Sequence, residues 1–142
     1  MITLDDYLDR SLKQAWKWGY VDCCCWGGLW VAEATGKDPT ERWRGRYRTA
    51  AQAGSIVARA GGLVSLVDGE MSRHGFVRTE DPEHGDLGVV LFEGLPENMR
   101  AAGGAVVIRY ASSWMARGLD DNGQGFVYSG DLAVTASWAV MR

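Results

Sequence analysis

Apolar residues recur at helical spacing through the first half of this chain and at strand spacing through the second. Leu4, Tyr7, Leu8, Leu12 and Ala15 share a face, which predicts a helix over residues 3–17. Thr3 is its N-cap, and Asp5 and Asp6 sit against the positive end of its dipole. Trp18-Gly19-Tyr20-Val21 reads as a tight loop into a second helix, from Cys23 to about Thr35, capped by Asp22. Cys23, Trp26, Gly27, Trp30 and Ala34 form its buried stripe. Gly27 and Gly28 each cost roughly 1 kcal/mol of helix propensity against alanine, which makes sense where another group packs hard against that turn. Gly36 is the expected stop, and Pro39 forbids continuation. Thr49 caps a third helix over residues 50–60, with Ala53, Ile56, Val57 and Ala60 inward, and Gly61-Gly62 ends it. Leu63, Leu66, Val67 and Met71 predict a fourth, to about Arg73.

From Gly75 the period becomes two. Strands are predicted at 76–78, 86–92, 105–110, 113–116, 125–128 and 136–140. Turns fall at Asp81–Gly85 and at Asp120-Asp121-Asn122-Gly123, and a loop runs from Gly94 to Gly104. Helices first and hairpin-linked strands after predict an α+β fold, with N-terminal helices packed on one face of a C-terminal antiparallel β-sheet, in a single domain over residues 1–142.

Composition narrows function more than fold. Seven tryptophans in 142 residues leave rings to spare for an interface or a sugar, with Trp18, Trp26 and Trp114 the candidates for stacking. The net charge of −3 argues against general nucleic-acid binding. No apolar run is long enough to span a bilayer, and the N-terminus lacks the basic-then-apolar pattern of a secretory signal. Glu41-Arg42-Trp43-Arg44-Gly45-Arg46-Tyr47-Arg48 reads as a solvated loop with its aromatics packed down, or as a docking patch for an acidic protein partner.

The three cysteines are adjacent. Neighbours on a helix point about 100° apart, so the three cannot converge on one metal, and no distal cysteine offers a disulfide partner. No metal and no cofactor is expected, and Cys24 and Cys25 read as packing residues. Cys23 differs by position. It follows an N-cap directly, where the helix dipole favours a thiolate, and that is how several cysteine nucleophiles are presented. The competing reading is a small buried hydrophobe.

Taken in order, the motifs resemble a family. An Asp22-Cys23 pair after a Gly-aromatic loop, then Gly85-Asp86-Leu87 opening a long strand, resemble the NlpC/P60 cysteine peptidases. Trp18-Gly19-x-x-Asp22-Cys23, Thr35-Gly36-Lys37-Asp38-Pro39, Arg44-Gly45-x-Tyr47-x-Thr49, Gly61-Gly62 and Trp138 more closely resemble small NlpC/P60-like proteins encoded among the tail-tip genes of phages and prophages. The resemblance implies a papain-like α+β domain with Cys23 at the nucleophile position. It also implies a histidine base at the start of the strand after the one that Gly85-Asp86-Leu87 opens. That position falls near Gly104-Ala105, where no histidine stands, and the third polar position falls near Ser112-Ser113 or Trp114. His84, just before Gly85, is the remaining candidate base, and His74 is a weaker one.

Loss of general acid–base catalysis costs about 10²–10⁴-fold in rate. The resemblance therefore implies a structural component of a phage tail tip or baseplate rather than an enzyme. Such a component would dock to hub proteins in a multi-chain assembly, ride on the virion and touch peptidoglycan. It would be made in the bacterial host cytoplasm without a signal peptide. The alternative is an active cysteine peptidase or amidase that degrades peptidoglycan during DNA entry, with Cys23 as nucleophile and His84 as base.

Overall fold

The computed structural model describes residues 2–91, 104–119, 125–130 and 132–142. Four helices lead: α1 (Leu4–Ser11), α2 (Cys23–Thr35), α3 (Ala50–Arg59) and α4 (Leu63–Arg73). Five strands follow: β1 (Leu87–Leu91), β2 (Gly104–Tyr110), β3 (Ser113–Leu119), β4 (Gly125–Gly130) and β5 (Val134–Trp138). The strands form one sheet in the order β4-β3-β2-β1-β5, antiparallel at every pairing. The switch from helical to strand periodicity thus reports a real α+β architecture. No single helix among the described residues is long and apolar enough to cross a membrane.

The register puts Leu87 opposite Ile108 and Val89 opposite Val106, so these four share one face of the sheet. That face meets Trp26, Trp30 and Val31 of α2, and the three helical residues are almost fully buried. Gly27 explains how close the helix comes: a Cβ there would lie 2.5 Å from Val106 Cγ1. On the other side, a Cβ on Gly28 would lie 2.3 Å from Thr40 Cγ2. The two glycines are the contact points of a helix clamped between the sheet and the segment that follows Pro39. Burial on α2 accordingly extends beyond the expected stripe, to Cys25, Gly28 and Val31.

The predicted caps are in place. Thr3, Asp22 and Thr49 accept from the N–H of Asp6, Cys25 and Gln52, and Gly36 closes α2 in the left-handed region at φ 82°. Other boundaries move. The first helix stops at Ser11, not 17, because Arg117 of β3, 3 % exposed, reaches across and donates to the carbonyls of Ser11 (2.6 Å) and Gln14. Leu12 is therefore exposed rather than inward, as is Ala60 just past α3. Residues 76–78 form a single bridge, Arg78 to Trp138, rather than a strand, flanked by Thr79 N donating to Ser137 O (2.9 Å) and Ala139 N to Val77 O (3.0 Å). The last strand ends at Trp138 because Val140 N turns to the Asp86 carboxylate (3.1 Å). Phe92, the loop before Gly104 and the Asp120–Gly123 turn lie outside the described residues.

Candidate functional site

The start of α2 is built around one carboxylate. Asp22 is 1 % exposed. Its Oδ1 accepts from Cys25 N at 2.9 Å, and its Oδ2 accepts from Gly19 N at 2.8 Å and from Tyr47 Oη at 2.5 Å. Two loops interlock to deliver those donors. Gly45 N donates to Gly19 O at 2.9 Å. Gly19 (φ 84°) and Gly45 (φ 78°) both lie in the left-handed region, where a side chain is strained. A Cβ on Gly19 would also sit 2.2 Å from Tyr47 O. The Trp18-Gly19-x-x-Asp22 and Gly45-x-Tyr47 motifs, far apart in sequence, are thus one structural unit.

The three thiols project from this unit. Cys23 is 4 % exposed, with its Sγ 4.0 Å from Cys24 Sγ. Cys25 is 1 % exposed, with its Sγ 3.5 Å from Tyr47 Oη. Burial pushes the Cys25 thiol up to about 12, and the nearby Asp22 carboxylate pushes in the same direction. The Cys24 thiol is raised too, first by its hydrogen bond with Cys23 and then by burial. Both shifts agree with the reading of Cys24 and Cys25 as packing residues. A small apolar cavity of about 60 Å³ lies beside the thiols, lined by the start of α2, the 39–47 segment, α3, α4 and the sheet residues Leu87 and Val106. Trp18, Trp43, Ile56 and Leu66 are among its walls.

Cys23 and His84 are not brought together. Cys23 packs in a cluster with Val90 and Ala105. His84 is exposed at the opposite end of the sheet, where its Nδ1 accepts from Ala111 N at 2.9 Å and its ring meets Tyr110 edge-on at 4.9 Å. Ala105 and Ala111 are six residues apart along the β2 direction, roughly 20 Å at the rise of an extended strand. His74 ends α4, with its Nε2 3.5 Å from Glu41 Oε1. The position expected for a base is packed solid. A Cβ on Gly104 would lie 2.4 Å from Val90 O, and Ala105 is 1 % exposed. Of the third-position candidates, Ser112 is an exposed turn residue, Ser113 opens β3, and Trp114 is buried under the Arg109 guanidinium, 5.1 Å from the ring centre. Trp26 and Trp114 are core residues, which removes two of the three rings considered as sugar platforms; Trp18 is half-buried.

Residues 2–140 match a family model described as a domain of unknown function (DUF6950). The chain belongs to that family. No curated protein and no solved structure matches it. The DUF6950 match takes in both the α2 start and the whole described sheet, so the unit it defines is the fold described above.

Three residues that organise this DUF6950 domain carried no role in the sequence reading. Tyr47 completes the Asp22 cluster, and its spacing from Gly45 was the available signal. Arg117 ends α1, with no sequence signal. Asp86, 2 % exposed, accepts from Glu83 N (2.8 Å), Val140 N (3.1 Å) and Arg142 Nη2 (2.6 Å), and its place after Gly85 was the signal. In the Arg-rich segment, Arg42 pairs with the buried Glu70 and Arg44 with Asp38, while Arg46 and Arg48 are exposed. Among the described residues, no three His, Cys, Asp or Glu side chains are grouped to hold a metal.

Proposed function

We propose that this chain is a structural component of a phage or phage-like tail tip, docked onto hub proteins and built on an NlpC/P60-like scaffold that no longer performs hydrolysis. The observation that carries the reading is the environment of Cys23. The thiol sits where a cysteine nucleophile would, at the first position of a capped helix, yet it is buried and faces another thiol at 4.0 Å. A nucleophilic thiol needs a base within about 3 Å, or one bridging water further away. His84 is tied to Ala111 at the far end of β2. The position where the resemblance puts the base is held by Gly104, which has no room for a side chain, and by the buried Ala105. The layout of helices followed by an antiparallel sheet agrees with the papain-like class, and fold alone does not carry activity.

Mass spectrometry and immunogold labelling of purified particles from a lysogen carrying this gene test the reading. The protein is expected on the particles at fixed stoichiometry with hub proteins, and its absence overturns the proposal. A cell-wall zymogram run with the Cys23→Ala variant addresses hydrolysis. The expected result is no clearing by either form. Clearing by the unaltered chain alone would establish the peptidase reading with Cys23 as nucleophile.

A further inference from the structure

We propose that the surface formed by Lys17, Tyr20, Arg46 and Arg48 docks an acidic segment of a neighbouring protein. The proposal deepens the docking reading above and rests on it only for where that neighbour is found.

The surface is assembled by the same interlocked loops that hold Asp22. Gly45 lies directly under Tyr20, so that a Cβ there would be 2.8 Å from Tyr20 Oη. The backbone of Arg46, the next residue, therefore follows directly from this contact with Tyr20, a residue that is 43 % exposed. Lys17 Nζ lies 4.8 Å from the centre of the same ring. Arg46 and Arg48 flank the buried Tyr47, and both are exposed. Trp16 and Trp18, on the same loop as Tyr20, stack edge to face at 5.1 Å. The two loops that carry these residues are tied to each other by Gly45 N donating to Gly19 O.

Charge selects the partner. Among the described residues, Arg10, Arg42, Arg44, Arg73, Arg78 and Arg142 each lie within 4 Å of a carboxylate of this chain. Lys17, Arg46 and Arg48 have no such partner there; Lys13, Lys37, Arg59, Arg109 and Arg117 lack one too, and what sets the three apart is that the two loops joined by the Gly45 N to Gly19 O bond carry them together. The chain carries 18 acidic and 15 basic residues, a net charge of −3. A group of unmatched cations on two joined loops, with an exposed tyrosine, on an acidic protein is complementary to carboxylates, and such complementarity sets partner choice and encounter rate. A nucleic acid fits less well. Its continuous phosphate charge meets the net negative field of the whole chain, and the patch is too short to offset that.

Titration of the full chain with short poly-L-glutamate, poly-L-lysine and a DNA duplex, at low and high salt, tests the surface. Poly-L-glutamate is expected to bind at low salt and to be released at high salt, as screening of exposed charge requires. Lys17→Glu/Arg46→Glu/Arg48→Glu is expected to weaken it about tenfold or more, given the strength of exposed ion pairs. The charge-keeping Lys17→Arg/Arg46→Lys/Arg48→Lys retains binding, and Lys17→Glu alone gives an intermediate loss if the triple reversal misfolds. Failure of poly-L-glutamate to bind, equal binding by the reversed variant, or tighter binding of the duplex overturns the proposal. So does self-association that the reversal abolishes, which would assign the surface to a second copy. In particles, complementation with the reversed chain is expected to leave them without it. If the unaltered chain is itself missing from particles, the tail-tip reading fails while the glutamate titration still decides the surface.

Discussion

Two buried aspartates hold the two halves of this molecule, and they are satisfied in different ways. Asp22, at the start of α2, takes all three of its bonds from neutral groups, the N–H of Gly19 and Cys25 and the hydroxyl of Tyr47. Asp86, at the entry to β1, takes two from backbone N–H groups and the third from the Arg142 guanidinium, whose side chain is 34 % exposed. A buried carboxylate can thus be held by oriented neutral donors and a helix start alone. One at the rim shares a solvated cation. The motifs that resemble a peptidase, Asp22-Cys23 and Gly85-Asp86, are in this chain the brackets that fix a helix and a strand. Their presence reports architecture before it reports chemistry.

The largest effect separates the two brackets. Asp22→Ala removes an N-cap and leaves three buried donors without an acceptor, so it is expected to cost about 3–5 kcal/mol in urea unfolding. Asp22→Asn keeps the shape and one strong acceptor and is expected to cost about half as much. Asp86→Ala frees two N–H groups nearer the surface and is expected to cost about 2–3 kcal/mol. Arg142→Ala should change stability little, because the exposed cation is replaced by water. An Asp86→Ala cost equal to that of Asp22→Ala would show that neutral and charged brackets are equivalent here.

Alkaline titration sharpens the same comparison at the thiol beside Asp22. Cys25 holds its proton up to about 12 in the folded chain, chiefly through burial, against about 8.5 when unfolded. Above the unfolded value, the unfolded chain has lost a proton that the folded chain keeps. The stabilisation is therefore complete below that value and falls away as pH rises toward 12. The slope due to this one group is at most about 1.4 kcal/mol per pH unit. Cys25→Ala is expected to remove that part of the slope, measured as urea midpoints across the alkaline range. An unchanged slope would show that the thiol is not shielded.

The helices were legible because their signals are local. Thr3, Asp22, Thr49 and Gly36 each act within one turn of their own position, and each was placed correctly. The antiparallel sheet was legible in class and in the existence of its five strands, with residues 76–78 over-read as a sixth. Its ends were not, because they are set by distant groups. Arg117 stops α1 from more than a hundred residues away, and Asp86 ends β5 by drawing Val140 out of line. The site was legible only in part. The helix dipole at Cys23 can be read from sequence, but the burial that raises Cys25 depends on Tyr47 and Ala53, from the 39–47 segment and α3, closing over it. His84 looked like a base because it precedes Gly85. The register alone shows that this end of β1 is the one away from Cys23.

The smallest expected effect tests what His84 does instead. Ala111 has φ 52°, the one positive φ outside glycine among the described residues, in the turn between β2 and β3. The left-handed region costs an L-residue about 1–2 kcal/mol, and the bond from Ala111 N to His84 Nδ1 holds the turn there. His84→Ala is expected to lower stability by under about 1 kcal/mol, since water can replace an exposed acceptor. Ala111→Gly, which removes the strain, is expected to raise stability by about 0.5–1 kcal/mol. In the double variant the loss at His84 should shrink, because a relaxed turn no longer needs the imidazole. Alkylation of Cys23 should proceed at the same rate with and without His84. A faster or slower reaction in the variant would mean that the imidazole reaches the thiol, and the contrast between a structural bracket and a catalytic pair would then have to be redrawn.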